Sequence, residues 1–322
     1  MNNNSKAILV LCSYIGAKKQ NVVPLQPKEW SDLARKLINK GYQPYHLLDL
    51  KEDIICDLQL DIDLVERIKK LVNRSSAISF DIAKYERLGI KCITRADKEY
   101  PKLLKNNLGN SCPPIIYYCG DIELLNKNYI GFVGSREIRD EDVNIIHILV
   151  DKCLKNKIGV VSGGAKGIDS ESTNYCLKNN GFCLEILADS MVKKLKNKDY
   201  INYIREKKML CISFASPEAG FDVGNAMMRN KFIYLFSKGT IVINASYNKG
   251  GTWSGAIECI KKGYSPICVV DNDKKGNQEL IKLGAKPIND EWEGVFEDVN
   301  SVKNISKVNE NIDYNYDQLS LF

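Results

Sequence analysis

The chain has 322 residues, with 46 Lys or Arg against 40 Asp or Glu and a formal charge of +6. A hydrophobic fraction of 44% and a charged fraction of 27% belong to a globular protein and exclude wholesale disorder, collagen and coiled coil. The length suits two domains or one large one, and either buries a sizeable core.

From the N-terminus the opening Met1-Asn2-Asn3-Asn4-Ser5-Lys6 leads into no long apolar segment and no small-residue cleavage site, so no secretory signal is expected. The longest apolar runs, 7–12 and 115–119, are far too short to span a bilayer. A cytoplasmic location is the expectation. Up to about residue 120 the texture is helical. Residues 24–40 carry Trp30, Leu33, Ala34, Leu37 and Ile38 at helical spacing, with Pro24 and Pro27 marking the start. Residues 58–72 repeat the pattern with Leu60, Ile62, Leu64, Val65, Ile68 and Leu71. Cys112-Pro113-Pro114 forces extended or turn backbone before the strand-like 115–118, which makes it the candidate domain boundary.

Beyond Asn126 the pattern changes. The apolar run 129–133 ends in Gly134-Ser135-Arg136 and a helical stretch, 143–154, follows. The run 158–161 ends in Ser162-Gly163-Gly164 and a helix of about 168–178 follows. Further runs at 182–187, 210–214, 240–244 and 266–270 are separated by helical spacers. Short strand-like runs alternating with helices indicate βαβ units and a parallel sheet. Such sheets bind ligands at the carboxyl ends of their strands, where this sequence places its glycines and cations. The expected domains are therefore a mainly helical 1–120, a core of 121–298 and a flexible tail of 299–322. The tail is polar and Asn-rich, yet its last five residues include three large apolar ones.

Three glycine-rich turns carry the chemistry. They are Gly134-Ser135-Arg136, Ser162-Gly163-Gly164-Ala165-Lys166-Gly167-Ile168-Asp169, and Lys249-Gly250-Gly251-Thr252. Glycine permits close backbone approach, and successive N–H groups at a helix N-terminus favour an anion, most often a phosphate. Arg136, Lys166 and Lys249 add positive charge at those turns. Neither the dinucleotide fingerprint nor the Walker A loop is present. One such turn alone is as well explained by tight strand-to-helix packing; three on one sheet, each with a cation, point to phosphate binding. A fourth element, Arg229-Asn230-Lys231, enters a helix whose apolar stripe is expected to pack while its cations face the ligand. A fifth, 191–208, holds Lys193, Lys194, Lys196, Lys198, Arg205, Lys207 and Lys208 against Asp199 and Glu206, with Tyr200 and Tyr203 interleaved. It fits a nucleic-acid backbone with base stacking and equally a solvated lysine-rich helix.

The 11 cysteines are scattered singly with no C-x-x-C pair, and His46 and His147 are the two histidines. No zinc ligand set is visible, so no metal or cofactor is expected. The cysteines read as small buried hydrophobes in a reducing compartment.

Together these elements resemble the bacterial DNA-processing protein DprA (Smf) family over about residues 84–290. The resemblance rests on Gly89-Ile90-Lys91, the stretch from Ile93-Thr94-Arg95-Ala96-Asp97 to Tyr100-Pro101, Pro113-Pro114-Ile115-Ile116-Tyr117, the three turns, Arg229-Asn230-Lys231, Ser254-Gly255-Ala256, Gly276-Asn277 and Gly284-Ala285. It implies a Rossmann-like, mostly parallel twisted α/β sheet flanked by helices, with a small helical N-terminal domain. It also implies a single-stranded-DNA-binding protein of DNA recombination that loads RecA and self-associates as a homodimer. The residues matching the strand-binding pocket are Arg136, the 162–169 turn with Lys166, and Arg229-Asn230-Lys231. Two departures stand out: Met228 replaces an expected Arg, and no proline lies between Glu218 and Lys231. The chain after residue 290 is too short for the winged helix that many members carry, which suggests a divergent branch serving phage defence or a mobile element rather than transformation. The terminal Gln318-Leu319-Ser320-Leu321-Phe322 resembles the sliding-clamp-binding pentapeptide, in which Leu319, Leu321 and Phe322 fill an apolar groove. A terminal segment folding back on its own core is the alternative.

Two other functions fit the same turns. The related phosphoribohydrolases carry a catalytic Glu where this sequence has Gly255, with Glu258 nearly one helical turn away. A non-enzymatic role is therefore expected. A nucleotide sensor using the same pocket is the remaining alternative.

Overall fold

The computed structural model describes residues 1–17 and 21–294. The tail expected at 299–322, with its terminal pentapeptide, lies outside the described residues. The elements run α1 (Asn3–Cys12), α2 (Pro27–Asn39), α3 (Glu52–Asp57), α4 (Ile62–Val72), α5 (Ser75–Arg87), β1 (Lys91–Thr94), α6 (Lys102–Leu108), β2 (Ile115–Cys119) and β3 (Tyr129–Val133). They continue α7 (Asp140–Lys155), β4 (Gly159–Ser162), α8 (Ile168–Lys178), β5 (Cys183–Leu187), α9 (Met191–Lys194), α10 (Lys198–Arg205), β6 (Met209–Ser213) and α11 (Val223–Phe236). The last are β7 (Gly239–Val242), α12 (Gly250–Lys262), β8 (Ile267–Val270), α13 (Lys275–Lys282) and β9 (Lys286–Ile288).

The N-terminal helices are built round α1. It is apolar on nearly every side, and Ala7, Ile8, Leu9, Val10, Leu11 and Cys12 are all buried, as expected of a helix enclosed by others. The carbonyls at its C-terminal end have no intrahelical partners. The buried Arg74 guanidinium donates to the carbonyls of Val10 (2.7 Å), Ser13 (2.6 Å) and Ile15 (3.1 Å). One cation thereby closes the end of the central helix.

The strands form one nine-stranded sheet in the order β1-β2-β6-β5-β4-β3-β7-β8-β9 among the described residues. Strands β3 to β9 pair in parallel, while β1–β2 and β2–β6 pair antiparallel. The sheet therefore reaches back across residue 120: the helical part ends with α5, and β1 and β2 belong to the sheet edge. Cys112-Pro113-Pro114 extends the backbone as expected and feeds the expected strand, which pairs with β6, Tyr117 opposite Ser213.

Strands β3 to β6 are buried at every position, as expected when helices cover both faces of a parallel sheet. The period-2 alternation survives as two separate cores. Ile130, Phe132, Cys183, Leu187, Met209 and Cys211 face the layer of α1, α7 and α8. Tyr129, Val133, Leu184, Ile186, Leu210 and Ile212 face that of α11, α12 and α13. Nine of the cysteines, such as Cys153, Cys183 and Cys211, are buried, and Cys56 is exposed. Successive strands β3, β4, β5 and β6 step outward on one side of β3, and β7, β8 and β9 on the other. That reversal opens a crevice beyond the carboxyl ends of β3 and β7, the usual ligand position in an open α/β sheet. Among the described residues no helix is long and apolar enough to cross a membrane.

Candidate nucleic-acid interface

A cleft of about 330 Å³ occupies that crevice. Its walls are the turn after β3 (Gly134, Ser135, Arg136), the start of α12 (Lys249, Gly250, Gly251, Thr252), Ala165 and Asp169 beyond β4, and one side of α11.

The first turn is held by its neighbours. Ser135 N–H donates to Asn244 Oδ1 at 2.6 Å, and a Cβ on Gly134 would lie 2.5 Å from the Ile168 side chain. Asn244 follows β7 and is itself oriented by the Asp142 carboxylate. Burial pushes the Asp142 carboxyl up, but Lys274 at 2.6 Å, the Arg139 amide at 3.1 Å and Asn244 outweigh it and keep it below the usual carboxylate range. Arg136 is exposed, with its guanidinium 5.7 Å from the Phe221 ring centre.

The third turn opens α12. Its N-cap, Lys249, makes no side-chain capping hydrogen bond, and Gly250 has φ +78°. The first amides of this 13-residue helix thus keep their affinity for an anion, worth about 0.3–1 kcal/mol from the helix dipole alone. Thr252 Oγ1 donates to the Gly134 carbonyl at 3.0 Å, and Asn230 Nδ2 to the Gly251 carbonyl at 3.1 Å. Thr252 therefore ties the third turn to the first and Asn230 ties α11 to the third, while Lys249 supplies exposed charge at the rim.

The middle turn is built differently from its sequence reading. Ser162 is fully buried and its hydroxyl donates to the Phe132 carbonyl at 2.7 Å. Asp169 is buried and accepts from the amides of Gly163 (3.2 Å) and Ala165 (3.5 Å). Arg229 does not reach for a ligand with its whole charge. It turns under the turn, with Nη1 3.4 Å from Asp169 Oδ2, and both side chains are only 10% exposed. A Cβ on Gly163 would fall on that guanidinium, so glycine there makes room for the pair. Burial raises the Asp169 carboxyl, against the pull of Arg229 and the two amides. Gly164 (φ +65°) and Gly167 (φ +83°) hold left-handed backbone, and Lys166 is exposed. Lys231 is half-buried, its ammonium 5.6 Å from the Phe232 ring, and does not line the cleft.

Of the two readings of the lysine-rich segment, base stacking finds no support in the packing of its tyrosines. The segment breaks into α9 and α10, and Tyr200 and Tyr203 are half-buried and pack against the core. Lys208 pairs with Glu206 at 2.7 Å and Lys207 with Asp121 at 3.5 Å. Sequence reasoning missed Asn244, whose sign was a polar residue closing the apolar run 240–244, and the apolar rim. Phe221, Val223, Met227 and Met228 are 61%, 50%, 42% and 40% exposed, and the first three line the cleft. Met228, which stands where an Arg was expected, lies outside the lining of the cleft. Glu258 accepts from the Tyr264 hydroxyl at 3.2 Å and does not line the cleft.

Comparison with known proteins adds an independent line. The family model of DNA recombination-mediator protein A matches residues 91–300. The DNA processing protein DprA of Bacillus subtilis is 28% identical over 228 residues, covering 68% of this chain and 74% of its own length. DprA of Streptococcus pneumoniae is 26% identical over 54% of this chain and 63% of its own length. Protein Smf of Synechocystis matches at 24% identity over 58% of this chain and about half (48%) of its own length. The X-ray structure of the Streptococcus pneumoniae DprA superposes with a TM-score of 0.60 at 21% identity, covering 83% of this chain and 95% of that one. A Helicobacter pylori DprA structure, described as revealing that protein's single-stranded DNA binding mode, gives 0.50 at 23% identity over 62% of this chain and 90% of that one.

Proposed function

Since this chain belongs to the DNA recombination-mediator protein A family, we propose that it binds single-stranded DNA, holding the sugar-phosphate backbone in the cleft at the sheet's switch point. The observation that carries the reading is the convergence of Gly134, Ser135 and Arg136 with the uncapped start of α12 at Lys249, Gly250 and Gly251 round one cleft. Amides there meet phosphate, Arg136 and Lys249 add exposed charge, and Phe221 and Met227 offer apolar surface to unpaired bases. Binding of labelled single- and double-stranded oligonucleotides across a salt series tests it. Single strands should bind more tightly, with little sequence preference and a steep salt dependence. Arg136→Ala with Lys249→Ala should weaken binding and flatten the slope of log K against log salt by about 0.7 for each phosphate that the variant no longer neutralises. Equal affinity of that variant and the wild type sinks the assignment.

The proposed role is binding without turnover. In support, Gly255 occupies the place of the phosphoribohydrolase Glu, and Glu258 is engaged by Tyr264 away from the cleft. Release of free base from nucleoside monophosphates overturns this. Calorimetric titration with cyclic and mononucleotides, beside oligonucleotides, separates the sensor alternative. RecA loading and self-association extend the proposal through the family resemblance and are checked by strand-exchange assays and sedimentation. The terminal Gln318-Leu319-Ser320-Leu321-Phe322 supports sliding-clamp binding, which deletion of those five residues should abolish in a pull-down with purified clamp.

A further inference from the structure

We propose that Lys194, Tyr200 and Glu185 form a buttress beneath the 162–167 turn and are positioning residues for strand binding, which makes Lys194 the lysine of its cluster that acts from below the cleft. The inference rests on the reading of that cleft as a DNA site.

Glu185 lies in the middle of β5, fully buried in a strand otherwise made of Cys, Leu and Ile. Its Oε1 accepts from the Tyr200 hydroxyl at 2.7 Å and lies 3.6 Å from Lys194 Nζ. Its Oε2 has no hydrogen-bond partner among the described residues. Lys194 Nζ donates to the Gly164 carbonyl at 2.8 Å and to the Tyr200 hydroxyl at 2.9 Å, and sits 4.7 Å from the Tyr200 ring centre. The Glu185 carboxyl abuts Gly164 so closely that a Cβ on that glycine would be 2.5 Å from it.

Two carboxylates, Asp169 and Glu185, therefore lie under one phosphate-type turn. Each has its own cation: Arg229 for Asp169 and Lys194 for Glu185. A buried anion without its partner is costly, and here it would also add negative charge beneath the turn that borders the cleft. Lys194 does two things at once. It cancels the charge beneath the turn, and its bond to the Gly164 carbonyl fixes a left-handed residue of the turn in place beside Ala165, which lines the cleft. Tyr200 holds the carboxylate and the ammonium in register. This accounts for a glutamate inside a buried strand and for the inward turn of one lysine in a run of seven basic residues.

The experiment measures oligonucleotide affinity against salt, together with hydrogen exchange of the 163–166 amides in the free protein. Lys194→Met should weaken single-strand binding about tenfold at every salt concentration, leave the salt slope unchanged, and speed exchange of those amides. Tyr200→Phe should do the same to a smaller degree. Glu185→Gln with Lys194→Met should recover most of the affinity, because the uncompensated anion is gone. A slope lowered by about 0.7 in Lys194→Met would make it a direct phosphate ligand and overturn the proposal. So would unchanged exchange, or a double variant no better than the single. If the wild-type protein does not bind single strands, the functional reading falls by itself. Exchange then decides the buttress: faster exchange in Lys194→Met and not in the exposed Lys193→Met upholds it, and equal exchange overturns it.

Discussion

Replacing Arg229 by Met tests how the cleft floor is built. Removing one partner of a buried ion pair costs about 3–5 kcal/mol, because the remaining charge stays desolvated. Two features reduce that figure here. The Nη1–Oδ2 distance of 3.4 Å exceeds the roughly 2.7–2.9 Å of a strong charge-assisted bond. Asp169 also keeps the amides of Gly163 and Ala165 as donors. A loss of about 2–3 kcal/mol in unfolding free energy near neutrality is expected, read from urea titrations. The pH dependence gives the sign. Burial holds the Asp169 carboxyl above its ordinary range, and Arg229 restrains that rise. A carboxyl whose folded pKa exceeds its unfolded one contributes stability that is present at low pH and lost as pH rises through the folded value. Without Arg229 the folded value climbs further. The deficit of Arg229→Met should therefore be greatest near neutrality and shrink as the buffer is acidified into the range where Asp169 protonates. Adding Asp169→Asn should recover about half or more of it at neutral pH. A deficit that is the same at all pH values and is not relieved by Asp169→Asn refutes the reasoning, and would make Arg229 a packing residue.

Gly167→Ala should cost at least about 1–3 kcal/mol, since the residue has φ +83° and a Cβ would run into the backbone carbonyls of Ser135 and Arg136; thermal melting measures the loss. The same substitution should push the first and middle turns apart and weaken oligonucleotide binding, so retained affinity would show the two turns to be independent. Asn277→Ala strands three buried backbone groups, the Ala245 amide and the Ile243 and Val270 carbonyls, each now bonded at 2.9 Å. It should destabilise by about 2–4 kcal/mol and loosen the segment that leads from β7 to α12, as urea unfolding with hydrogen exchange over residues 244–251 would register.

The strand runs from β3 to β8 are legible in the sequence because helices cover both faces of the sheet, leaving short, mostly apolar segments such as Ile267–Val270. The edge strands escaped. β1 has four residues and β9 has three, and β9, Lys286-Pro287-Ile288, exposes two of them, so neither carries a burial pattern. The helix α1 read as a mere apolar run, because a helix surrounded by others has no polar face to mark its period. At the site, the glycine turns were found as local backbone features, while the aims of Arg229, Lys194 and Tyr200 were not.

Taken alone, the sequence determines what is local: alternating strands and helices, the turns where only glycine fits, and a family pattern distributed along more than half the chain. Charge partners are not local. Asp169 meets Arg229 across 60 positions, and Ser135 meets Asn244 across 109. Those distances close only when β3, β4 and β7 become neighbours. Burial then gives each cation one low-energy direction, inward for Arg229 and Lys194, while Arg136 and Lys249 remain in water at the mouth of the cleft.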